Sequence, residues 1–268
     1  MTLFCSDIDG TLLNAERTLS TRTVRAIQMV EEAGHTFVLC SSRMPASMEM
    51  LEQLYGGGRA PLIAYNGGVV LTADRTVALD VSISGVDAAA IFEFSRELDL
   101  HASFYSGDDW FAWADDRWSA REASNTGVSP NTTSASDYYE SGQISIAPPH
   151  KVMCMGDAES IDAVEARFAE TGGLVTYRSK NTYLEIASAR CSKGDGLRVV
   201  ANELGVGLDD TYFFGDNYND LPAFDVVGTS VAVANAKSAV LEAASVVTLG
   251  HHSDGVAVFL EEWLERSE

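Results

Sequence analysis

The chain opens with the stretch Leu3–Leu12, LFCSDIDGTL, in which an apolar run ends abruptly in two carboxylates and a glycine. The run Leu3–Cys5 predicts a short buried strand, and Gly10 indicates a tight turn after it. In an open α/β sheet, ligands bind beyond the carboxyl ends of the parallel strands, where such a strand would leave Asp7 and Asp9. Two neighbouring carboxylates repel each other, and Mg²⁺, which prefers oxygen ligands, would relieve that repulsion. The same residues could also form an ordinary turn that closes a strand, so the rest of the chain has to decide.

The composition is typical of a globular protein with two compact cores. The chain has 268 residues, 46% of them hydrophobic, and only 6 prolines. Its 39 acidic residues against 18 basic ones give a formal charge of −21, which argues against nucleic acid and anionic membranes as partners. The excess of acids is spread over the middle and both flanks of the chain, so it predicts an acidic surface and not a docking patch. The sequence contains no stretch of membrane-spanning length and no basic leader, which favours the cytoplasm.

The cysteines and histidines show no spacing of a metal site or a disulfide framework. Cys5, Cys40, Cys154 and Cys191 lack any C-x-x-C pairing, so all four are expected to be reduced packing residues. The histidines also lack ligand spacing, and we expect them at the surface; they are His35, His101, His150, His251 and His252.

Strands and helices alternate in the two flanks of the chain. Apolar runs at 36–40, 62–65 and 211–214 predict further buried strands, and helical patterns separate them. This alternation is typical of a parallel sheet covered by helices. The two flanks together are therefore expected to form one domain, interrupted by a long insertion.

The middle of the chain has a different pattern. Alternating runs and two helical segments predict a small α+β unit, although residues 114–142 are polar and give only weak helical signals around Trp118. Alternation also places several aromatic residues on one sheet face, so we expect them mostly in the core; they include Tyr105, Trp110, Trp113 and Tyr183.

Three further places in the flanks carry groups suited to phosphate chemistry. The second strand ends in Ser41-Ser42-Arg43, the strand at 211–214 ends in Gly215–Asp220, GDNYND, and Lys193 opens a helix. A lysine at a helix N-terminus is mildly unfavourable, which favours a functional reason for it. Phosphoryl transfer needs cations and N–H donors around the transferred group and an oxygen nucleophile in line with the leaving group. The four places together would supply these groups.

These motifs, in this order, resemble those of the phosphatases of the haloacid dehalogenase superfamily. The spacing, the Asn66-Gly67 hairpin, the insertion and the later stretches 233–236 and 254–256 resemble its Cof-type branch, subfamily IIB. The likeness covers essentially the whole chain. It implies an α/β fold with a Rossmann-like parallel-sheet core over residues 1–80 and 189–268, and an inserted α+β cap domain over residues 81–188.

The resemblance also implies a role for each motif residue. Asp7 would be the nucleophile that forms an aspartyl-phosphate, and Asp9 the general acid and base. Ser42 stands where the family usually has glycine, and its hydroxyl could either narrow the phosphate pocket or add a donor. The resemblance implies that Mg²⁺ is bound by the Asp7 carboxylate, the Asp9 backbone carbonyl and Asp216, and that Asp220 supports these metal ligands. The implied phosphate contacts are Ser41, Lys193, Asn219 and the backbone at Ile8 and Ser42.

The substrate is less well defined than the chemistry. We expect a small phosphorylated metabolite, a sugar phosphate foremost, with phosphoglycolate and nucleotide or cofactor phosphates also open. The candidate substrate contacts are Arg43, Arg178 and Lys180, and Arg43 could equally form a structural ion pair. A phosphosugar mutase of the same superfamily, a non-catalytic switch phosphorylated on aspartate, and a metabolite-binding protein with a relic site are the alternatives. The sequence gives no oligomeric state.

Overall fold

The structure is a computed structural model that describes residues 1–56 and 59–267. These residues form two compact units. The first unit comprises residues 1–43, 48–79 and 192–268, and the second comprises residues 44–47 and 80–191. Their assignment as a catalytic core and an inserted cap stays a prediction.

The first unit is built on an eight-stranded sheet. Its strands are β1 (Leu3–Ser6), β2 (Thr36–Cys40), β3 (Leu62–Ala64), β4 (Val69–Leu71), β5 (Val77–Asp80), β11 (Thr211–Gly215), β12 (Thr229–Val233) and β13 (Val246–Thr248). They lie in the order β13-β12-β11-β1-β2-β3-β4-β5. The six strands from β13 to β3 pair in parallel, and β4 returns antiparallel to β3.

The helices of this unit follow the alternation that the sequence predicts. Their apolar sides cover the central strands, and all four residues of β1 are buried. The parallel sheet with its helices confirms the predicted α/β, Rossmann-like architecture. The helices are α1 (Thr21–Glu32), α2 (Pro45–Tyr55), α8 (Lys193–Leu204), α9 (Leu221–Phe224), α10 (Ser238–Ala243) and α11 (Gly255–Ser267).

Strand order decides which side chains can meet at the carboxyl edge of this sheet. β1 lies between β2 and β11, and Ser6 is in register with both Leu39 and Phe214. The residues that follow these three strands therefore leave the sheet side by side. They belong to three of the motifs that the sequence singles out.

The second unit contains a five-stranded sheet in the order β7-β6-β8-β10-β9, in which every pair is antiparallel. Residues of its helices and strands pack together in a core that includes Phe92, Phe104 and Ile186. Its elements are α3 (Gly85–Glu97), β6 (His101–Ser106), β7 (Asp109–Phe111), α4 (Arg117–Thr126), α5 (Ala135–Glu140), α6 (Gln143–Ile146), β8 (Lys151–Met155), α7 (Ala158–Phe168), β9 (Leu174–Lys180) and β10 (Tyr183–Ser188).

The polar segment 114–142, which gives only weak helical signals around Trp118, holds two short helices, and the first of them contains Trp118. Both begin at side-chain capping boxes, formed by Asp116 and Ser134. One expectation about this unit needs correction. His101 and His150 are buried and not at the surface, because the carboxylates of Asp116 and Asp80 bind their rings at 2.8 and 3.0 Å. Burial lowers the pKa of both histidines despite these partners. The expectation for the aromatic residues is confirmed, since Tyr105, Trp110 and Tyr183 are buried and Trp113 packs against the core.

The cysteines and the helices agree with the broad class that the composition indicates. All four cysteines are buried thiols, as expected of packing residues. Within residues 1–56 and 59–267, no helix has both the length and the apolar character needed to cross a membrane. A cytoplasmic location stays a prediction.

Candidate active site

The first strand delivers two aspartates to the carboxyl edge of the parallel sheet. The Asp7 N–H donates to the Phe214 carbonyl oxygen at 2.9 Å, which continues the pairing of β1 with β11. A tight turn, Ile8–Leu12, follows at once, and Asp9 and Gly10 within it have non-helical backbone angles. Asp7 is buried, whereas the side chain of Asp9 is 35% exposed. The two carboxylates thus have different surroundings and different partners.

A glycine allows this turn to approach a third aspartate. Gly10 adopts φ +91°, and a Cβ atom on it would lie 2.7 Å from Asp216 Oδ2. The neighbouring Thr11 hydroxyl donates to Asp216 Oδ1 at 2.8 Å. Asn235 Nδ2 donates to the Gly10 carbonyl oxygen at 2.8 Å and holds the turn from the other side. Any side chain at this position would be strained and would displace the Asp216 carboxylate.

Lys193 lies at the start of α8 and is completely buried. Its Nζ donates to Asp7 Oδ1 at 2.5 Å and to Asp220 Oδ1 at 2.6 Å. Burial by itself would lower the pKa of Lys193, but the carboxylates of Asp220 and Asp7 hold this pKa well above its usual value. The lysine is therefore a fixed positive charge beside the buried carboxylate of Asp7.

Asp220 organises the loop that follows β11. Its Oδ2 accepts the N–H groups of Asp216 and Asn217, each at 2.9 Å, while its Oδ1 accepts Lys193. These bonds hold the backbone at Asp216 and Asn217, while the Thr11 hydroxyl holds the Asp216 carboxylate. Burial and the nearby Asp220 charge raise the pKa of Asp216 to about 6, against the opposing effect of the Thr11 hydroxyl.

The three carboxylates form a group that fits a divalent cation. One oxygen each of Asp7, Asp216 and Asp220 lie within 4.8 Å of one another. Burial, and the charges of the other two carboxylates, raise the pKa of Asp7 well above its usual range, although Lys193 opposes the shift. With all three acids ionised, one lysine leaves two negative charges uncompensated in a buried place. Hard oxygen ligands and this charge deficit suit Mg²⁺.

Asp9 binds two arginines instead of the buried lysine. Arg43 Nε donates to Asp9 Oδ2 at 2.7 Å and Arg43 Nη2 to Asp9 Oδ1 at 2.8 Å, which is a bidentate pair. Arg17 Nη2 donates to the same Oδ1 at 2.5 Å. The Arg43 side chain is almost wholly buried, whereas that of Arg17 is 46% exposed. Arg43, proposed from sequence as a substrate contact, thus binds Asp9 in this structure.

The remaining predicted phosphate ligands lie at the neighbouring strand ends. Ser41 follows β2, and its hydroxyl accepts the Arg43 N–H at 3.2 Å while its carbonyl oxygen accepts the Asn66 N–H at 2.9 Å. Asn219 Nδ2 donates to Asn66 Oδ1 at 2.9 Å. Asn66, which adopts φ +56°, therefore joins two of the motifs. Phosphate contacts by Ser41, Asn219 and the backbone at Ile8 and Ser42 stay predictions.

The two candidate substrate contacts of the second unit lie on β9. Arg178 is paired there with Asp162 at 2.5 Å and Glu165 at 2.7 Å, both on α7. Lys180 Nζ lies 5.5 Å from the centre of the Tyr183 ring. Their contact with a substrate stays a prediction, and for Arg178 it would require exchange of two ion pairs.

The family model of the haloacid dehalogenase-like hydrolases matches residues 4–260. The chain belongs to this family. Among curated proteins, it is 31% identical to a Haemophilus influenzae protein named "Putative phosphatase", with 96% of each chain covered. It is 28% identical to a phosphoglycolate phosphatase of Methanopyrus kandleri, with 98% of this chain and 97% of that one covered. The predicted enzyme class, a phosphomonoester hydrolase, is confirmed.

Solved structures show the same fold for this hydrolase. A Thermotoga maritima crystal structure superposes with a TM-score of 0.86 at 29% identity and 97% coverage of each chain. A sugar phosphatase of subclass IIB of the superfamily shares the fold with a TM-score of 0.80 at 18% identity, with 98% of this chain and 99% of that one covered. The family model confirms the expected Cof-type membership, and the solved structures confirm the fold.

Sequence reasoning missed four residues of this hydrolase's site. Thr11 and Asn235 stood inside quoted stretches but had no assigned role, and Arg17 stood in a loop without a motif. His251, expected at the surface, contacts the Leu13 carbonyl oxygen through Nδ1 at 2.8 Å. Of these four residues, only Thr11 could have been identified from the sequence, because it has a side-chain hydroxyl and stands within the first motif.

Proposed function

We propose that this hydrolase releases phosphate from small phosphorylated metabolites, sugar phosphates foremost, through an aspartyl-phosphate on Asp7. The observation that carries the proposal is the buried contact of Lys193 with Asp7, beside Asp216 and Asp220. A cation fixed against a carboxylate at the end of a parallel strand suits a nucleophile that must approach an anionic phosphoryl group.

The acidic cluster supports a Mg²⁺ requirement. The Asp7 carboxylate, the Asp9 backbone carbonyl and Asp216 would hold the ion, and Asp220 would orient Asp216 through its two backbone hydrogen bonds. When bound, Mg²⁺ offsets the charge of the carboxylates and of the substrate phosphate. Lys193 would bind a phosphoryl oxygen, and Ser41 and Asn219 would contribute neutral donors.

Asp7 and Asp9 would divide the chemistry between them. An Asp7 oxygen would form a bond to phosphorus while the bond from phosphorus to the leaving oxygen breaks, and protonated Asp9 would give its proton to that oxygen. Asp9, now a carboxylate, would take a proton from a water molecule. That water would attack phosphorus, releasing phosphate and restoring Asp7. The different surroundings of the two carboxylates fit these different roles.

The test is phosphate release across a panel of phosphorylated metabolites, with and without Mg²⁺. The panel contains hexose and pentose phosphates as well as phosphoglycolate, the substrate in the name of one relative. We expect turnover of at least one sugar phosphate that EDTA abolishes and Mg²⁺ restores. Asp7→Asn is the control, and undiminished turnover in this variant would contradict the role of Asp7. Product analysis separates hydrolysis from a mutase, which would return an isomer of the sugar phosphate.

A further inference from the structure

A short loop after the first motif presents Arg17 to Asp9. Asn14 Oδ1 accepts both the N–H and the hydroxyl of Thr18, at 2.9 and 3.1 Å, and the Asn14 N–H donates to the Thr18 carbonyl oxygen at 3.1 Å. The Arg17 N–H donates to the Asn14 carbonyl oxygen at 3.0 Å. The loop is therefore closed by its own hydrogen bonds, with Arg17 immediately before its last residue.

Stability gives no reason for an arginine at this position. Arg17 adopts φ +59°, a left-handed conformation that strains any residue with a Cβ atom and that glycine or asparagine would adopt more easily. The exposed ion pair that Arg17 makes contributes at most about as much stability as this strain removes. The conformation nevertheless directs the guanidinium at one carboxylate, that of Asp9.

One buried and one half-exposed arginine bind the Asp9 carboxylate. Arg43 is buried and binds both carboxylate oxygens, and the half-exposed Arg17 adds a third N–H donor on Oδ1. Three charge-assisted hydrogen bonds restrict rotation of the carboxylate more than the two bonds of Arg43 do alone. A group that exchanges protons with a leaving oxygen must be held in a narrow range of positions, because small displacements cost large factors in rate.

We propose that Arg17 is a positioning residue, which holds Asp9 in the orientation needed to protonate the leaving group. This role rests on the proposed function, in which Asp9 is the general acid. The proton passes from the Asp9 carboxyl group to the leaving oxygen as the bond from phosphorus to that oxygen breaks, and Arg17 itself exchanges no proton. In the steps up to departure of the leaving group, loss of Arg17 should therefore matter only where that group needs a proton.

The test compares two substrates in Arg17→Gln with Mg²⁺ present: the best alkyl phosphate of the panel, and p-nitrophenyl phosphate, whose nitrophenolate leaves without protonation. The measured quantity is kcat/KM, because it includes only steps up to departure of the leaving group. We expect a loss of roughly tenfold for the alkyl phosphate, carried by kcat, and less than about twofold for the aryl phosphate. Arg17→Lys, which keeps the charge, should recover part of the loss.

Arg22→Gln is the matched control. Arg22 makes the same kind of pair with Glu261, at 2.5 Å and with a side chain 48% exposed, on the same unit. Its removal should leave both substrates unchanged, and urea unfolding should show similar small effects in the two variants. An equal loss on both substrates, or an Arg17 variant indistinguishable from the Arg22 variant, would overturn the positioning role. A wild-type enzyme that hydrolyses neither substrate would overturn the proposed function and this role with it.

Discussion

Lys193 Nζ lies 2.5 Å from Asp7 Oδ1, although 186 positions separate the two residues in the chain. The same Nζ contacts Asp220, so one buried ammonium group serves two buried carboxylates. Removal of the lysine or of the carboxylates would leave an uncompensated buried charge. Loss of this contact should therefore lower both the free energy of unfolding and the activity proposed for Asp7.

Replacement of Lys193 by methionine should destabilise the protein and inactivate it. Loss of the ammonium leaves Asp7 and Asp220 unpaired, at a cost of about 3 kcal/mol in the free energy of unfolding. The loss of a cation beside the phosphoryl group should lower kcat by at least about 100-fold. Urea unfolding and phosphate release measure the two effects.

A double variant and a second lysine control this prediction. Adding Asp220→Asn to Lys193→Met removes one of the stranded charges, so it should recover part of the lost stability but none of the activity. Lys237 stands exposed at the start of α10, and Lys237→Met should change neither quantity. An equally stable Lys193→Met protein would show that the buried contact contributes little.

Mg²⁺ should raise the melting temperature of the protein. Saturating metal should raise Tm by about 5 °C, because the ion binds the folded acidic cluster and the unfolded chain lacks one. Asp216→Asn, which keeps an acceptor for the Thr11 hydroxyl, should lose most of this shift. Asp209→Asn alters an exposed acid of the same unit and should keep it. Equal shifts in the two variants would remove Asp216 from the metal site.

The strand-end motifs could be predicted because they depend on local rules. Asp7 and Asp216 each follow a buried strand, so each lies at the carboxyl edge of the parallel sheet. The order of the strands then brings the two carboxylates close together. The role of Arg17 could not be predicted. Its position depends on a left-handed loop conformation and on the place of Asp9 relative to that loop, neither of which has a sequence signature.

The buried histidines show a second limit of sequence reasoning. His101 and His150 are polar and have no motif, but each is buried because an aspartate binds its ring. The partner of His150 is Asp80, 70 positions away, so no local pattern could have indicated it. Pairwise contacts of this kind depend on the tertiary fold and not on the periodicity of apolar residues.

Two glycines with similar backbone conformations distinguish the cost of backbone strain from the cost of a steric clash with a neighbouring side chain. Gly10 and Gly34 adopt φ +91° and φ +85°, but a Cβ atom on Gly10 would meet Asp216 whereas one on Gly34 would meet nothing within 4 Å. Gly34→Ala should cost about 1 kcal/mol in the free energy of unfolding and leave activity intact. Gly10→Ala should cost more and also lower kcat/KM. Equal stability and activity in the two variants would contradict the close approach at Gly10.

Glu31 should make stability fall as pH rises towards neutrality. Burial, and secondarily the charge of Glu52, raises the pKa of Glu31 to about 7 from an ordinary 4.5. Because the folded state holds this proton more tightly than the unfolded state does, its contribution is complete below pH 4.5 and is lost as pH rises through 7. Glu31→Gln should be more stable than the wild type above pH 7, by about 1 kcal/mol after allowance for solvent screening.

Urea unfolding from pH 4.5 to 8 measures this dependence. The difference between the wild type and Glu31→Gln should grow over that interval and level off above it. Glu32→Gln alters the exposed neighbouring glutamate and should show no such trend. A constant difference between the wild type and Glu31→Gln at every pH would mean that the pKa of Glu31 is the same in the folded and unfolded states.

Acid quench of the enzyme during turnover, followed by peptide mass spectrometry, shows whether Asp7 is the nucleophile. We expect one phosphoryl group on the peptide that carries Asp7, formed and lost at least as fast as kcat, and absent in Asp7→Asn. A phosphoryl group on a different residue, or steady turnover by Asp7→Asn, would contradict this role.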